Sequence, residues 1–130
     1  MQTLKIKTKR KKEIVDITKE VEIILPVDIG LCNIFVKHTT AALAVADLDP
    51  GTDSDMLDAF EQMVPKLQYR HLHDPSHVKD HIMASVVGQS VSLPVSGGKF
   101  LLGQWQKLVL VELDGPRERE LLVTFVEETF

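Results

Sequence analysis

Apolar side chains alternate with polar ones near both ends of the chain and recur at helical spacing through its middle, which predicts strands around a helical insert. Leu4, Ile6 and Thr8 alternate with Lys5, Lys7 and Lys9, giving a strand at about residues 3–8. A second strand, at about 13–17, follows the charged turn Lys9-Arg10-Lys11-Lys12. Thr18 is placed to cap a short helix with Glu20 in its first turn and Val21, Ile24 and Leu25 on one face, and Pro26 and Gly30 stop it. Residues 31–38 read as a nearly continuous apolar strand in which Cys32, Ile34, Val36 and His38 point one way, so His38 is the polar end of a buried row. The apolar segment 41–46 is broken by Asp47-Leu-Asp-Pro-Gly51. Thr52, Asp53 and Asp55 then open a helix whose Met56, Leu57, Phe60, Met63 and Val64 form a core face before Pro65. A further helix is predicted over 76–87, with Val78, Ile82 and Val86 as its apolar stripe and His77, His81 and Ser85 beside it. The last third is strand-rich, at 90–95, 100–102, 107–113 and 121–126, with turns at Ser96-Gly-Gly-Lys99 and Asp114-Gly-Pro-Arg117. The expected architecture is α+β, a mostly antiparallel sheet with two to three helices in one compact domain, residues 1–130.

Composition narrows the class. A chain of 130 residues with 44% hydrophobic content has the size of one domain and buries roughly two-thirds of its unfolded surface. The single Cys32 forms no internal disulfide, suits a reducing compartment and is expected to pack as a small hydrophobe. No apolar run approaches the roughly 18 residues of a membrane span. Lys5, Lys7 and Lys9 stand where a signal peptide needs its apolar core, so a cytoplasmic protein without a membrane partner is expected. The net charge of −4 argues against nonspecific nucleic-acid binding, although six of the fifteen cationic side chains crowd into Lys5 to Lys12. That run reads as a solvated hairpin.

The chemistry lies with the histidines. His38 stands in His-Thr-Thr-Ala-Ala, and the other four fall between Tyr69 and His81. Imidazole is the commonest metal ligand and titrates near neutrality. His77 and His81 project side by side at helical spacing, as a zinc site requires, yet no glutamate of the His-Glu-x-x-His type intervenes. His71 and His73 form a second pair if their segment is extended. His38 is either a core imidazole satisfied by Thr40 or a backbone carbonyl, or a ligand or general acid/base with Thr39 and Thr40 beside it. Asp47, Asp49, Asp53 and Asp55 surround a helix start, where capping accounts for them, although oxygen-rich sites also suit divalent cations. Ser96-Gly-Gly-Lys99 reads as a hairpin turn, and Arg117 and Arg119, beside Glu118 and Glu120, as a mixed surface loop.

Read in order, His38-Thr-Thr-Ala-Ala-Leu43, Asp49-Pro50, Tyr69-Arg-His71, Asp80-His81-Ile-x-Ala-Ser85, Gly88, Leu102-Gly-x-Trp-Gln106 and Glu112-x-Asp-Gly-Pro-Arg117 resemble the YjbQ family from about residue 10 to 126. The resemblance implies a homotrimer with sites near the subunit contacts and an activity of the thiamine-phosphate synthase type, joining hydroxymethylpyrimidine diphosphate to thiazole phosphate. It matches the family's histidines to His38, His71 and His81, not His73 or His77, and so implies that these three could hold a divalent metal, zinc or magnesium. Ser85, Trp105, Gln106, Glu112 and Arg117 also match, with Glu112 implied as the carboxylate that orients an imidazole. One departure is Ala46-Asp47, where the family usually has Asn-Glu.

Three functions follow as expectations. The first is a synthase in which Arg117 and Lys99, or Mg²⁺, neutralise the diphosphate leaving group while His71 or His81 donates a proton, and Thr39, Thr40, Ser85, Trp105, Gln106 and Arg117 contact a small phosphorylated substrate. The second is a trimeric metal- or small-ligand-binding protein. The third is a metal-assisted hydrolase, with bound water as nucleophile.

Overall fold

Strand periodicity at both ends of the chain resolves into two antiparallel sheets laid face to face. The computed structural model describes residues 1–71 and 74–130. The elements are β1 (Gln2–Lys7), β2 (Glu13–Asp16), α1 (Thr18–Glu22), β3 (Gly30–Val36), β4 (Ala41–Ala46), α2 (Thr52–Met63), α3 (Val78–Val87), β5 (Ser90–Ser96), β6 (Lys99–Phe100), β7 (Lys107–Glu112) and β8 (Glu118–Glu127). One sheet has the order β1-β8-β3-β5-β6 and the other β2-β7-β4, with every pairing antiparallel. The expected α+β class with antiparallel pairing and three helices is what forms.

The run Leu108-Val-Leu-Val111 explains how the layers stack. Leu108 and Leu110 face the inter-sheet core with Cys32, Ile34, Val36, Leu43 and Leu121, whereas Val109 and Val111 face a second cluster with Val64, Met83 and Ala84 beneath α2 and α3. The central strand is thus buried on both faces, as its unbroken apolar sequence requires. Each fully buried leucine or valine here stabilises the fold by about 1.5–3 kcal/mol. Cys32 is fully buried, and desolvation pushes its thiol up to about 11, so it packs as an inert hydrophobe. Among the described residues no helix is long and apolar enough to cross a membrane.

Three local expectations change. Thr18 is not a cap: its hydroxyl donates to Asp16 Oδ1 at 2.7 Å and accepts from the Leu108 N–H at 2.9 Å, tying α1 to β7. Helix α2 starts without a side-chain cap, because Gly51 holds a left-handed turn (φ 91°) that only glycine adopts freely. The helix expected at 76–87 begins as a 3₁₀ turn over Pro75–His77, where Asp74 Oδ1 accepts from the Ser76 N–H, and becomes α-helical at Val78.

Strand β3 runs roughly 20 Å from Gly30 to Val36, which separates two ends of the sandwich. At the Val36 end meet His38, the turn Thr39–Thr40, α3, Gln89, the start of β8 and the loop 113–117. At the other lie the chain's last residues, the 97–98 turn and Leu101.

Candidate functional site

The apolar row of β3 ends at His38, and the hydrogen bonds around that ring set its chemistry. His38 Nε2 accepts the Glu120 N–H at 2.9 Å, so the neutral ring carries its proton on Nδ1. Burial, then the Arg119 charge, pull the His38 pKa below its ordinary 6.5, so the neutral form is favoured. Gln89 Nε2 donates to the His38 carbonyl and fixes the backbone.

His81 has the opposite free nitrogen. Its Nδ1 lies 3.1 Å from the Thr39 carbonyl, which only accepts, so Nδ1 bears the proton and Nε2 keeps a lone pair. His71 Nδ1 accepts the Asp74 N–H at 3.0 Å, which puts the proton of the neutral ring on Nε2. The His71 and His81 rings stack with centroids 5.2 Å apart and planes 14° from parallel.

His81 and Thr39 line two adjoining hollows. One, of about 260 Å³, is completed by His38, Thr40, His77, Asp114, Arg117 and Arg119, and the other, of about 450 Å³, by His71, Ser85 and Gln89. Both are open, and the first is the more polar of the two. In the first, Arg117 Nε donates to the Asp114 carbonyl at 2.7 Å and Nη2 to its Oδ2 at 3.0 Å, leaving the half-exposed guanidinium at the cleft edge. Lys11 Nζ donates to Asp114 Oδ1 at 3.0 Å, and these two cationic partners hold the Asp114 carboxyl below the usual carboxylate range despite its burial. His77 Nε2 is 3.2 Å from Asp74 Oδ2.

The arrangement differs from several expectations. Arg119 is not on a surface loop: it is 1% exposed, donates from Nε to Glu112 Oε2 at 2.7 Å, and reaches Glu112 Oε1 and Thr40 with Nη2. Glu112 accepts from Arg119 and from the Asp114 N–H, and so orients an arginine where an imidazole was expected. Ser85 Oγ donates back to the His81 carbonyl at 3.0 Å while lining the second hollow. Lys99, in the β5–β6 hairpin, lies at the opposite end of the sandwich and cannot neutralise charge here. Trp105 and Gln106 precede β7, whose Lys107 and Glu112 ends are roughly 17 Å apart, so within one chain they sit away from the cleft. Trp105 is 65% exposed, and Gln106 Oε1 accepts from Gly103 N. His73 lies outside the described residues.

Sequence reasoning set His77 aside and gave no role to Gln89 or Asp114, which the fold brings to the same cleft. For Asp114 a signal was available, since a carboxylate that follows the apolar run Leu108–Val111 so closely needs cationic partners. For Gln89 there was none.

The residues do not fit a three-histidine metal centre as arranged. A metal ligand must offer a ring lone pair, and His38 and His71 have given theirs to backbone N–H groups, leaving only His81 Nε2. Among the described residues no group of three His, Cys, Asp or Glu side chains is gathered to hold an ion. The acidic turn is likewise used locally: Asp47 Oδ1 accepts from the Asp49 N–H and Asp53 Oδ1 from the Ser54 N–H.

A family model described as UPF0047 protein YjbQ-like matches residues 2–128, nearly the whole chain. The chain belongs to the YjbQ family. Within it, the chain is 43% identical over 122 residues to a UPF0047 protein of Mycobacterium bovis, covering 90% of this chain and 94% of that one. It is 36% identical over 123 residues to YugU of Bacillus subtilis, covering 92% and 93%. The fold matches a conserved hypothetical protein of Thermus thermophilus with TM-score 0.89 at 31% identity, covering 97% of this chain and all (100%) of that one. It also matches a YbjQ-like protein of unknown function from Sulfolobus solfataricus with TM-score 0.88 at 36% identity, covering 98% and 96%. These YjbQ relatives agree with the fold and name no substrate.

Proposed function

We propose that the cleft binds a small phosphorylated molecule and that His81 moves a proton within it, with thiamine-phosphate synthase-type transfer as the reaction to test first. One observation carries this reading: His81 is held by the Thr39 carbonyl so that Nε2 keeps its lone pair, in a cleft it shares with the Arg117 guanidinium and the Nδ1–H of His38. A positioned imidazole contributes typically 10²–10⁴-fold to a proton transfer. Arg117 supplies the charge that a phosphate or a departing diphosphate requires. Two hollows meeting at His81 and Thr39 suit a reaction that joins two molecules, in which the thiazole nitrogen lone pair bonds the pyrimidine methylene carbon, the carbon–oxygen bond to diphosphate breaks, and His81, protonated at Nε2 from solvent, gives that proton to the departing diphosphate.

Trp105 and Gln106 enter this proposal through a homotrimer. A neighbouring copy is the one route by which these residues reach a ligand in the cleft, since their own chain holds them at the other end of β7. Purified protein given the pyrimidine diphosphate and thiazole phosphate halves is expected to form thiamine phosphate, and His81→Ala to slow it about 100-fold. No product above the uncatalysed background rejects the synthase. A divalent ion is the rival occupant. One zinc per chain in untagged protein, lost in His81→Ala, would favour the metal-binding alternative and require the His38 and His71 rings to turn.

A further inference from the structure

We infer that Arg119, paired with Glu112 inside the protein, is a positioning residue for the cleft: it fixes the Thr39–Thr40 turn and, through the Thr39 carbonyl, the imidazole of His81. This rests on the reading of the cleft given above and adds a residue that acts on it from behind.

The bonds form a continuous chain. Arg119 Nη2 donates to Thr40 Oγ1 at 2.8 Å and to the Thr40 carbonyl at 3.1 Å, while Nε donates to Glu112 Oε2 at 2.7 Å. The same Thr40 carbonyl accepts the Leu113 N–H at 3.1 Å. One residue before Thr40, the Thr39 carbonyl faces His81 Nδ1. One residue after Arg119, the Glu120 N–H faces His38 Nε2. Both imidazoles are therefore set in their Nδ1–H forms by backbone groups, one adjacent to Thr40, which the guanidinium holds, and one adjacent to Arg119 itself.

The choice of a buried ion pair needs a reason beyond stability, because a buried pair replaced by apolar groups of like volume often leaves stability unchanged or improved. A guanidinium at 2% side-chain exposure, against a carboxylate at 0%, does what an apolar pair cannot. Its planar fork engages two carboxylate oxygens and a turn at once. The Glu112 carboxylate also accepts the Asp114 N–H at 3.1 Å, so the same pair tethers the loop that presents Arg117.

The test uses the full chain with Glu112→Leu and Arg119→Met combined, and separately Arg119→Lys. Three properties are read: urea unfolding, the nitrogen-15 shifts of the imidazoles in ligand-free protein, and calorimetric binding of inorganic pyrophosphate. The double variant is expected to unfold cooperatively near the wild-type midpoint, while His81 passes from one Nδ1–H form to a mixture of tautomers and pyrophosphate binding weakens at least about tenfold. Arg119→Lys keeps the charge but lacks the fork, so it is expected to show the same imidazole change; rescue by lysine would indicate that charge alone suffices and overturn the inference. A folded double variant whose His81 keeps its single tautomer would also overturn it, reducing the pair to a structural element. If the double variant does not fold, Arg119→Lys decides by the same readout. Wild-type protein that ignores pyrophosphate would defeat the phosphate reading, and the tautomers of the free protein would still decide the role of Arg119.

Discussion

At the histidine end of the sandwich, Arg119 and Glu112 are buried and bonded to each other, to Thr40 and to the Asp114 N–H, whereas at the opposite end Ile29, Leu31, Leu101, Trp105 and Val126 stand exposed. The first end spends polar groups on fixing other polar groups. The second leaves apolar surface around an open hollow of about 390 Å³. Substitutions at the first should therefore act through unpaired charge and lost alignment, and at the second through whatever covers the apolar surface.

The largest contrast is expected from Arg119→Met alone. It leaves Glu112 as an uncompensated charge at 0% exposure, so unfolding stability should fall by about 3–5 kcal/mol. Urea titration measures this directly. A loss below about 1 kcal/mol would mean that water reaches the carboxylate and that this end is no more constrained than the other.

Gly115→Ala should come next. A Cβ there would lie 2.4 Å from the Arg10 carbonyl and 2.9 Å from both Glu112 Cγ and Thr8 Oγ1, because the β1–β2 turn presses directly on the loop that carries Arg117. Overpacking of this kind costs about 1–3 kcal/mol, and pyrophosphate affinity should fall with stability as the loop moves. Unchanged stability with unchanged affinity would show that loop and turn separate freely.

These two positions also show what could be read in the sequence. Strands, helices and the burial of residues 31–38 and 107–113 followed from apolar spacing, since burial is what that spacing encodes. Arg119 was legible too, though it was read as a surface charge: it lies two residues before Leu121 and four before Val123, on the inward side of an alternating strand, and so needed a buried partner. Its partner Glu112 ends a strand buried from Leu108 onward. The identity of that pairing was not legible, because it depends on how two sheets are laid together. Nor were the tautomers of His81 and His38, which are set by backbone groups 42 and 82 residues away. The turn at 8–12 looked like a solvated hairpin, and Lys9 and Arg10 are exposed, but Lys11 and Lys12 reach back to Asp114 and Asp80.

A smaller effect is expected from pH, and it belongs to the histidine end alone. The folded-state pKa of His38 lies below 6.5, so between that folded value and 6.5 the unfolded chain binds more protons than the folded one. Stability therefore rises with pH through that window. On acidification it is lost as pH falls below 6.5, and the loss ceases below the folded pKa. Glu61, lowered from 4.5 by its hydrogen bond from Lys79, and Asp74 and Asp114, lowered from 3.8, take effect only in more acid solution. Unfolding measured from pH 7.5 to 4.5 should show the slope in wild type and a shallower one in His38→Gln. Equal slopes would remove His38 as its source.

The smallest effect on the chain itself is expected at the far end, and it bears on the comparison most directly. Leu101 and Trp105 are 59% and 65% exposed, so Leu101→Ser with Trp105→Ser should change the intrinsic stability of one chain by no more than about 0.5 kcal/mol each. If copies associate through this end, the wild-type midpoint must rise with protein concentration, by mass action, and the double variant must lose that dependence while keeping its far-ultraviolet spectrum. Light scattering would show the accompanying loss of mass. A wild-type midpoint independent of concentration would leave these side chains facing water and Trp105 out of reach of any cleft. In that case the contrast between the ends would be one of fold alone, with all ligand chemistry confined to residues that a single chain brings together.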